Sequence, residues 1–299
     1  VRLHIPAPLN HPGARKVGRL LLPRLFGSGV YQLTVFVDTF CASLSYIVGA
    51  GGISAIYYSN RILQFPMSIF GVALASAILP TLAGFATRGH HDDFKRTLTF
   101  ALKSIFFVML PTSVFLVLFS TPIIRILCER GEFNAYSTTI TSQALLFFAL
   151  GLFWFSGVKV LVTSFHALQD TATPAKTAGL CLVINVTLNF ILMGPLKIGG
   201  IALASSISAG INFFILFNIL SGRLEGLGVG LLEYTTKIFL ASLFMGAVCF
   251  LAWGYLPFSN ELLKLIIVLL AGALSFLQVC FLLKIQQAER LLQWILKRF

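Results

Sequence analysis

Apolar runs long enough to cross a bilayer, about 20 residues each, repeat along this chain and are cut by short basic, glycine-rich or proline-containing stretches. The pattern predicts about eight membrane helices: Leu20 to Val48, Ile53 to Phe85, Leu98 to Phe119, Thr139 to Phe165, Pro174 to Met193, Gly200 to Leu220, Tyr234 to Leu256 and Leu262 to Leu283. The second run is too long for a straight span, and Pro66, Gly71 and Pro80 offer places for a kink or break. Two further stretches, Thr121 to Phe133 and Gln286 to Phe299, place apolar and charged residues on a helical period and are expected to lie along an interface.

Charge orients these spans. With the start of the chain in the cytoplasm, Arg2, Arg15, Lys16, Arg19, Arg88, Lys95, Arg96, Lys176, Arg223, Lys284, Arg290, Lys297 and Arg298 all fall inside, and only Arg125, Arg130 and Lys197 fall outside. Both ends of the chain are then expected to be cytoplasmic. The formal charge of +12 is explained by this asymmetry, because no basic stripe interleaved with aromatic residues suggests a nucleic acid partner.

Composition agrees: 57% of the residues are hydrophobic, 11% are charged and 29 are Phe, which excludes an ordinary soluble domain. The fold class is an all-α polytopic membrane protein. The first stretch, Val1 to Arg19, begins without Met, carries prolines and basic residues, and reads as a cytoplasmic linker inside a longer protein. Of the five cysteines, Cys41, Cys181, Cys249 and Cys280 lie in apolar runs and Cys128 in a polar one, so neither a disulfide framework nor a zinc spacing emerges.

Polar residues inside the spans are the candidates for function. Arg61 lies in Ile53-Ser54-Ala55-Ile56-Tyr57-Tyr58-Ser59-Asn60-Arg61-Ile62-Leu63-Gln64-Phe65-Pro66. Its guanidinium stays ionised, and holding it in hydrocarbon costs roughly 3 kcal/mol or more unless it faces a polar cavity. Two readings stay open: a cavity-facing cation flanked by Asn60 and Gln64, or a side chain snorkelling to the nearer interface, roughly 10 Å away at 1.5 Å per residue. Arg24, Asp38 and Lys159 also fall within spans, Arg24 and Asp38 too far apart on one helix to pair. Asn185 and Asn189 share a helix face and are expected to bond a neighbouring helix. Lys103, Lys237 and Lys264 sit where snorkelling suffices.

Enzyme chemistry finds little support, since neither H-E-x-x-H nor G-x-S-x-G occurs and no close pair of carboxylates lies in a span. His90-His91-Asp92-Asp93 reads as a solvated turn rather than a metal site, and His166 as a lone imidazole at a helix end. The runs Gly226-x-Gly228-x-Gly230 and Gly49-Ala50-Gly51-Gly52 join membrane helices and lack the strand-to-helix setting of a phosphate loop. No cofactor is expected.

Several blocks together resemble one family. They are Leu22-Pro23-x-Leu25-Phe26-Gly27, Asp38-Thr39-x-x-Ala42-Ser43, Tyr57 to Pro66, Gly71-Val72-Ala73-Leu74 with Leu79-Pro80, Arg130-Gly131-x-Phe133, Val158-Lys159-Val160-Leu161 and Gln169-Asp170-Thr171-x-Thr173-Pro174. In order and spacing they resemble the MurJ family, also called MviN, of the multidrug/oligosaccharidyl-lipid/polysaccharide exporter superfamily. The resemblance runs from Val17 to about Leu220.

It implies two six-helix lobes with two extra C-terminal helices, this chain being the second lobe (20–222) followed by the extra helices and an amphipathic tail (223–299). It further implies a lipid II flippase of the bacterial cytoplasmic (inner) membrane that works by alternating access, with lipid II, membrane lipids and the missing N-terminal lobe as partners. The family's cavity arginine falls on Arg61, which leaves Arg61, Arg24, Lys159, Asn60, Gln64 and Asp38 as the expected substrate-binding set. Many relatives carry Asp and Glu where this chain has Asn60 and Gln64. The alternatives are an exporter of another polyprenol-linked oligosaccharide and a non-transporting membrane scaffold.

Overall fold

A computed structural model describes residues 29, 30, 32–224, 226, 227, 230–257 and 260–289. Every regular element among them is helical. Residues 32–43 form α1, followed by α2 (Ser45–Val48), α3 (Gly52–Pro66), a π-helical turn (Met67–Val72), α4 (Ala73–Arg88) and α5 (His91–Leu118). Then come α6 (Ser120–Cys128), α7 (Ala135–Leu150), α8 (Leu152–Ala167), α9 (Ala172–Leu196), α10 (Ile198–Arg223), α11 (Leu231–Tyr255) and α12 (Glu261–Leu282). Among the described residues six continuous helices are long and apolar enough to span a bilayer, and the bent pair α7–α8 brings the number to seven. The remaining expected span includes α1 and extends into residues outside the described set.

Three spans depart from their expected form. The first breaks at Leu44 (φ −75, ψ 69) instead of running on to Val48. The second runs over 37 residues, Gly52–Arg88, roughly 55 Å at 1.5 Å per residue. It widens into the π turn directly after Pro66, which has no N–H for the ladder, and Gly71 lies in that turn. Pro80, by contrast, sits inside an uninterrupted α4.

The fourth span is two helices meeting at 47° around Gly151. Such a bend strips carbonyls of their helical donors, which hydrocarbon does not tolerate unless other groups replace them. Here Ser206 of α10 donates to the Phe147 carbonyl at 2.7 Å, and Ser113 of α5 donates to that of Ala149. Two serines from neighbouring helices therefore make the bend affordable.

In lipid, helices gain nothing by hiding apolar faces from one another, so close packing and interhelical hydrogen bonds hold the bundle. Gly157 shows the first: a Cβ there would lie 2.7 Å from the Phe213 ring, so its absence lets α8 lie close against α10. The second appears where Ser208 donates to the Cys181 carbonyl at 2.8 Å and Tyr234 to that of Lys103 at 3.1 Å. The latter bond, with the Phe107–Phe276 and Phe119–Trp253 ring contacts, seats α11 and α12 on α5 and its C-terminal end. Outward faces are apolar, as Leu240, Phe244, Phe250, Leu270 and Leu274 show.

Short connections place the ends of the helices in two groups. At one end, Arg125 of α6 pairs with Glu261 of α12 at 2.9 Å. At the other, Arg223 of α10 pairs with Asp170, between α8 and α9, at 2.7 Å. The stretch Thr121 to Phe133 is helical only as far as Cys128, and of Gln286 to Phe299 only residues 286–289 are described, all helical. Cys128 is thus the last residue of α6, half-buried, and all five cysteines are free.

Candidate functional site

A cavity of about 450 Å³ opens between α1, α3, α8, α9 and α10. Asp38, Asn60, Gln64 and Lys159 line it together with Asn185, Ser205 and Asn212. Four of the six residues expected to bind substrate are thereby brought to one place from three helices.

Asp38 and Lys159 reach that place in different states. Asp38 is buried, and its two carboxylate oxygens are taken by the protein itself: Asn189 Nδ2 donates to Oδ1 at 2.8 Å and Ser205 Oγ to Oδ2 at 2.7 Å. Asn185 Nδ2 donates to Ser205 Oγ at 3.0 Å, and Asn189 Nδ2 also reaches Asn185 Oδ1 at 3.2 Å. The expected bond of this asparagine pair to a neighbouring helix is present, and it runs to two helices, α1 and α10. Lys159 is half-buried and makes no ion pair among the described residues. Gln64 Nε2 and Asn60 Oδ1 stand 3.5 Å apart on successive turns of α3, at the cavity wall.

Arg61 is not part of this wall. It lies on the adjacent, exposed face of α3 with Tyr57 and Phe65, spaced one turn apart. Its guanidinium carbon is 5.0 Å from the centre of the Tyr57 ring, and it donates to no acceptor among the described residues. The helical period makes this division: positions 60 and 64 turn toward the bundle while 57, 61 and 65 turn away. Arg24 lies outside the described residues.

The other span cations are satisfied locally. Lys103 Nζ stands 5.3 Å from the Tyr234 ring centre, Lys264 Nζ is 4.7 Å from that of Trp253, and Lys237 pairs with Glu233 at 2.6 Å. With Arg61 and Lys159 these make five cations, of which only Lys237 has an ion-paired carboxylate among the described residues; Arg61 lies over a ring as Lys103 and Lys264 do, and Lys159 has neither kind of contact. His90 directly precedes α5 without a side-chain cap bond, and His91, Asp92 and Asp93 belong to the first turn of that helix, the two acids beside its positive dipole end.

Residues 3–271 of the chain match the family model described as lipid II flippase MurJ. The chain belongs to the MurJ family. It is 33% identical over 289 residues to a probable lipid II flippase MurJ of Vibrio cholerae, covering 92% of this chain and 53% of that protein. A Haemophilus influenzae protein of the same description is 32% identical over 260 residues, covering 85% and 50%. The fold matches a solved structure of the lipid II flippase MurJ in its inward closed conformation with a TM-score of 0.75 and 28% identity, over 88% of this chain and 53% of that one. The chain therefore spans about half the length of the MurJ relatives it matches, and it is a multi-pass membrane protein.

Sequence reasoning missed Ser205 and Asn212 as cavity residues. Asn212 was visible as a polar residue in a span, yet its Oδ1 is buried without a partner at the cavity, a fact of position rather than of residue type. Ser205 belongs to the Ser205-Ser206-Ile207-Ser208 run, where three hydroxyls in one membrane helix were the available signal. Each finds an acceptor on a different helix: Ser205 on α1, Ser206 on α7 and Ser208 on α9.

Proposed function

We propose that this chain forms the second half of a lipid II flippase, moving an undecaprenyl-diphosphate-linked peptidoglycan precursor from the inner to the outer leaflet without covalent chemistry. The observation that carries this reading is Arg61: a permanent cation within a membrane-spanning helix, on an exposed face, with no protein acceptor among the described residues. A guanidinium so placed suits a diphosphate, whose oxygens accept two parallel charge-assisted hydrogen bonds from its planar fork. Lys159, Asn60 and Gln64 supply further donors from the cavity wall, and Arg24 is assigned to the same set. Asp38 serves the site by holding α1 to α9 and α10.

The exposed Arg61 face is assigned to the first half of the protein, which would complete the cavity, with residues 20–222 as one lobe and 223–299 as the added helix pair and tail. Alternation of that cavity between the two sides would carry the headgroup across. An inside-negative potential favours outward movement of an anion by about 2 kcal/mol per charge per 100 mV. The membrane is taken as the bacterial cytoplasmic membrane, with the end that holds Arg88, Lys176 and Arg223 inside.

The test is fluorescent lipid II flipping in vesicles containing the full-length protein. Arg61→Ala is expected to abolish flipping with normal insertion, and Arg61→Lys to slow it on the order of tenfold, because an ammonium keeps the charge and loses the fork. Full activity of the alanine variant would refute the reading.

A further inference from the structure

We propose that Tyr57 positions Arg61, holding its guanidinium over the tyrosine ring so that the hydrogen-bonding edge is left for the diphosphate. The inference rests on the flippase reading above and names the residue that aims its cation.

The geometry begins with spacing. Tyr57 precedes Arg61 by one helical turn on the same exposed face, and side chains on a helix lean toward its N-terminus, so the arginine folds back over the ring at 5.0 Å. The ring itself is held in turn. Tyr58 meets it edge-on, with centroids 5.6 Å apart and planes at 80°, and Phe133 meets Tyr58 at 5.6 Å and 89°. Phe133 lies between α6 and α7, packed against the buried core. Three rings thus connect the guanidinium to a fixed part of the bundle, and they join two motifs, Tyr57 to Pro66 and Arg130-Gly131-x-Phe133, that no other part of the site uses together.

The chemistry follows from the shape of the cation. A guanidinium carries its donors in its plane and its diffuse positive charge over its faces. An aromatic ring engages a face and consumes no donor, whereas a carboxylate partner would occupy the edge. With Asn60 and Gln64 flanking it, Arg61 has no neighbouring carboxylate on its own helix, and all its in-plane donors remain available. The ring also draws the charge by about one turn, roughly 5 Å, toward the Gly52 end of α3, the end assigned to the outside.

The experiment is binding of undecaprenyl diphosphate to the full-length protein in lipid nanodiscs, with flipping rates measured in parallel. Tyr57→Leu is expected to weaken binding about three- to fivefold, and Tyr57→Phe to retain it, because the ring and not the hydroxyl carries the contact. In an Arg61→Ala background, Tyr57→Leu is expected to change nothing further. A Tyr57→Leu effect of equal size in both backgrounds, or none with Arg61 present, overturns the positioning role and leaves the flippase reading intact. Binding that is absent from the unaltered protein, or indifferent to Arg61→Ala, removes both. Should Tyr57→Leu fail to insert, Tyr58→Leu, which removes only the edge support, is expected to give a smaller loss that also vanishes without Arg61; persistence of that loss without Arg61 overturns the proposal.

Discussion

Asn189 of α9 donates to the carboxylate of Asp38 in α1 at 2.8 Å, closing a buried contact between residues 151 positions apart. The same carboxylate accepts from Ser205 of α10, so one acidic group fastens three helices. Replacing Asn189 by Leu keeps the volume and strips Oδ1 of its donor. The expected cost is about 1–2 kcal/mol, seen as a lower Tm in detergent, with Asp38→Asn recovering part of it in the double variant. Independent, additive losses would show that the pair is not coupled.

Close approach of α8 to α10 depends on the missing side chain at Gly157. Gly157→Val drives a Cβ toward the Phe213 ring, 2.7 Å away before any adjustment, and is expected to destabilise the bundle by about 1–3 kcal/mol. Unfolding followed by circular dichroism checks this. An unchanged transition would mean that α8 and α10 slide apart freely.

Asp170, between α8 and α9, titrates outside the spans. Burial pushes the Asp170 carboxyl up, but hydrogen bonds from Thr173 and Arg223 and the charge of Arg223 outweigh it, so the group is held below the usual carboxylate range. A carboxylate whose folded value is depressed contributes stability that is complete above its unfolded value and is lost as pH falls through the folded one. Stability should therefore be flat in this respect from pH 7 to 5 and decline below about pH 4. As the pair is part-exposed, its share is about 1 kcal/mol or less. Asp170→Asn is expected to flatten the acid limb measured by thermal unfolding; an identical limb in the variant would assign the acid loss elsewhere.

Orientation is checked by single cysteines in a Cys128→Ser background, since the native Cys128 is half-buried at the α6 end. Cysteines at Glu132 and Lys197 are expected to react with an impermeant thiol reagent from outside intact cells, and those at His90 and Lys176 to react only after lysis. External labelling at His90 would reverse the topology. Arg223 is a poor probe position, because its replacement also breaks the bond to Asp170.

Local pattern along the chain was enough to establish that it is a bundle of membrane helices, how its basic residues separate into two groups, and which side chains are costly in lipid. These are local properties: hydropathy over about 20 residues, the count of cations in each connection, and the price of an ion in hydrocarbon are all read without knowing a neighbour. The same local reasoning identified Arg61, Asn60 and Gln64 as a group, and the asparagine pair as glue. Packing of distant helices, in contrast, sets Asn60 and Gln64 facing the cavity with Asp38 and Lys159 while Arg61 lies on the exposed face over Tyr57. Helical phase tells which residues share a face, but what that face meets depends on helices distant in the chain. For the same reason the bend at Gly151 was not legible, because the groups that satisfy its carbonyls, Ser113 and Ser206, come from α5 and α10. That Asn189 and Ser205 hold Asp38 was equally hidden, since a buried carboxylate is defined by its donors, and those are supplied by folding.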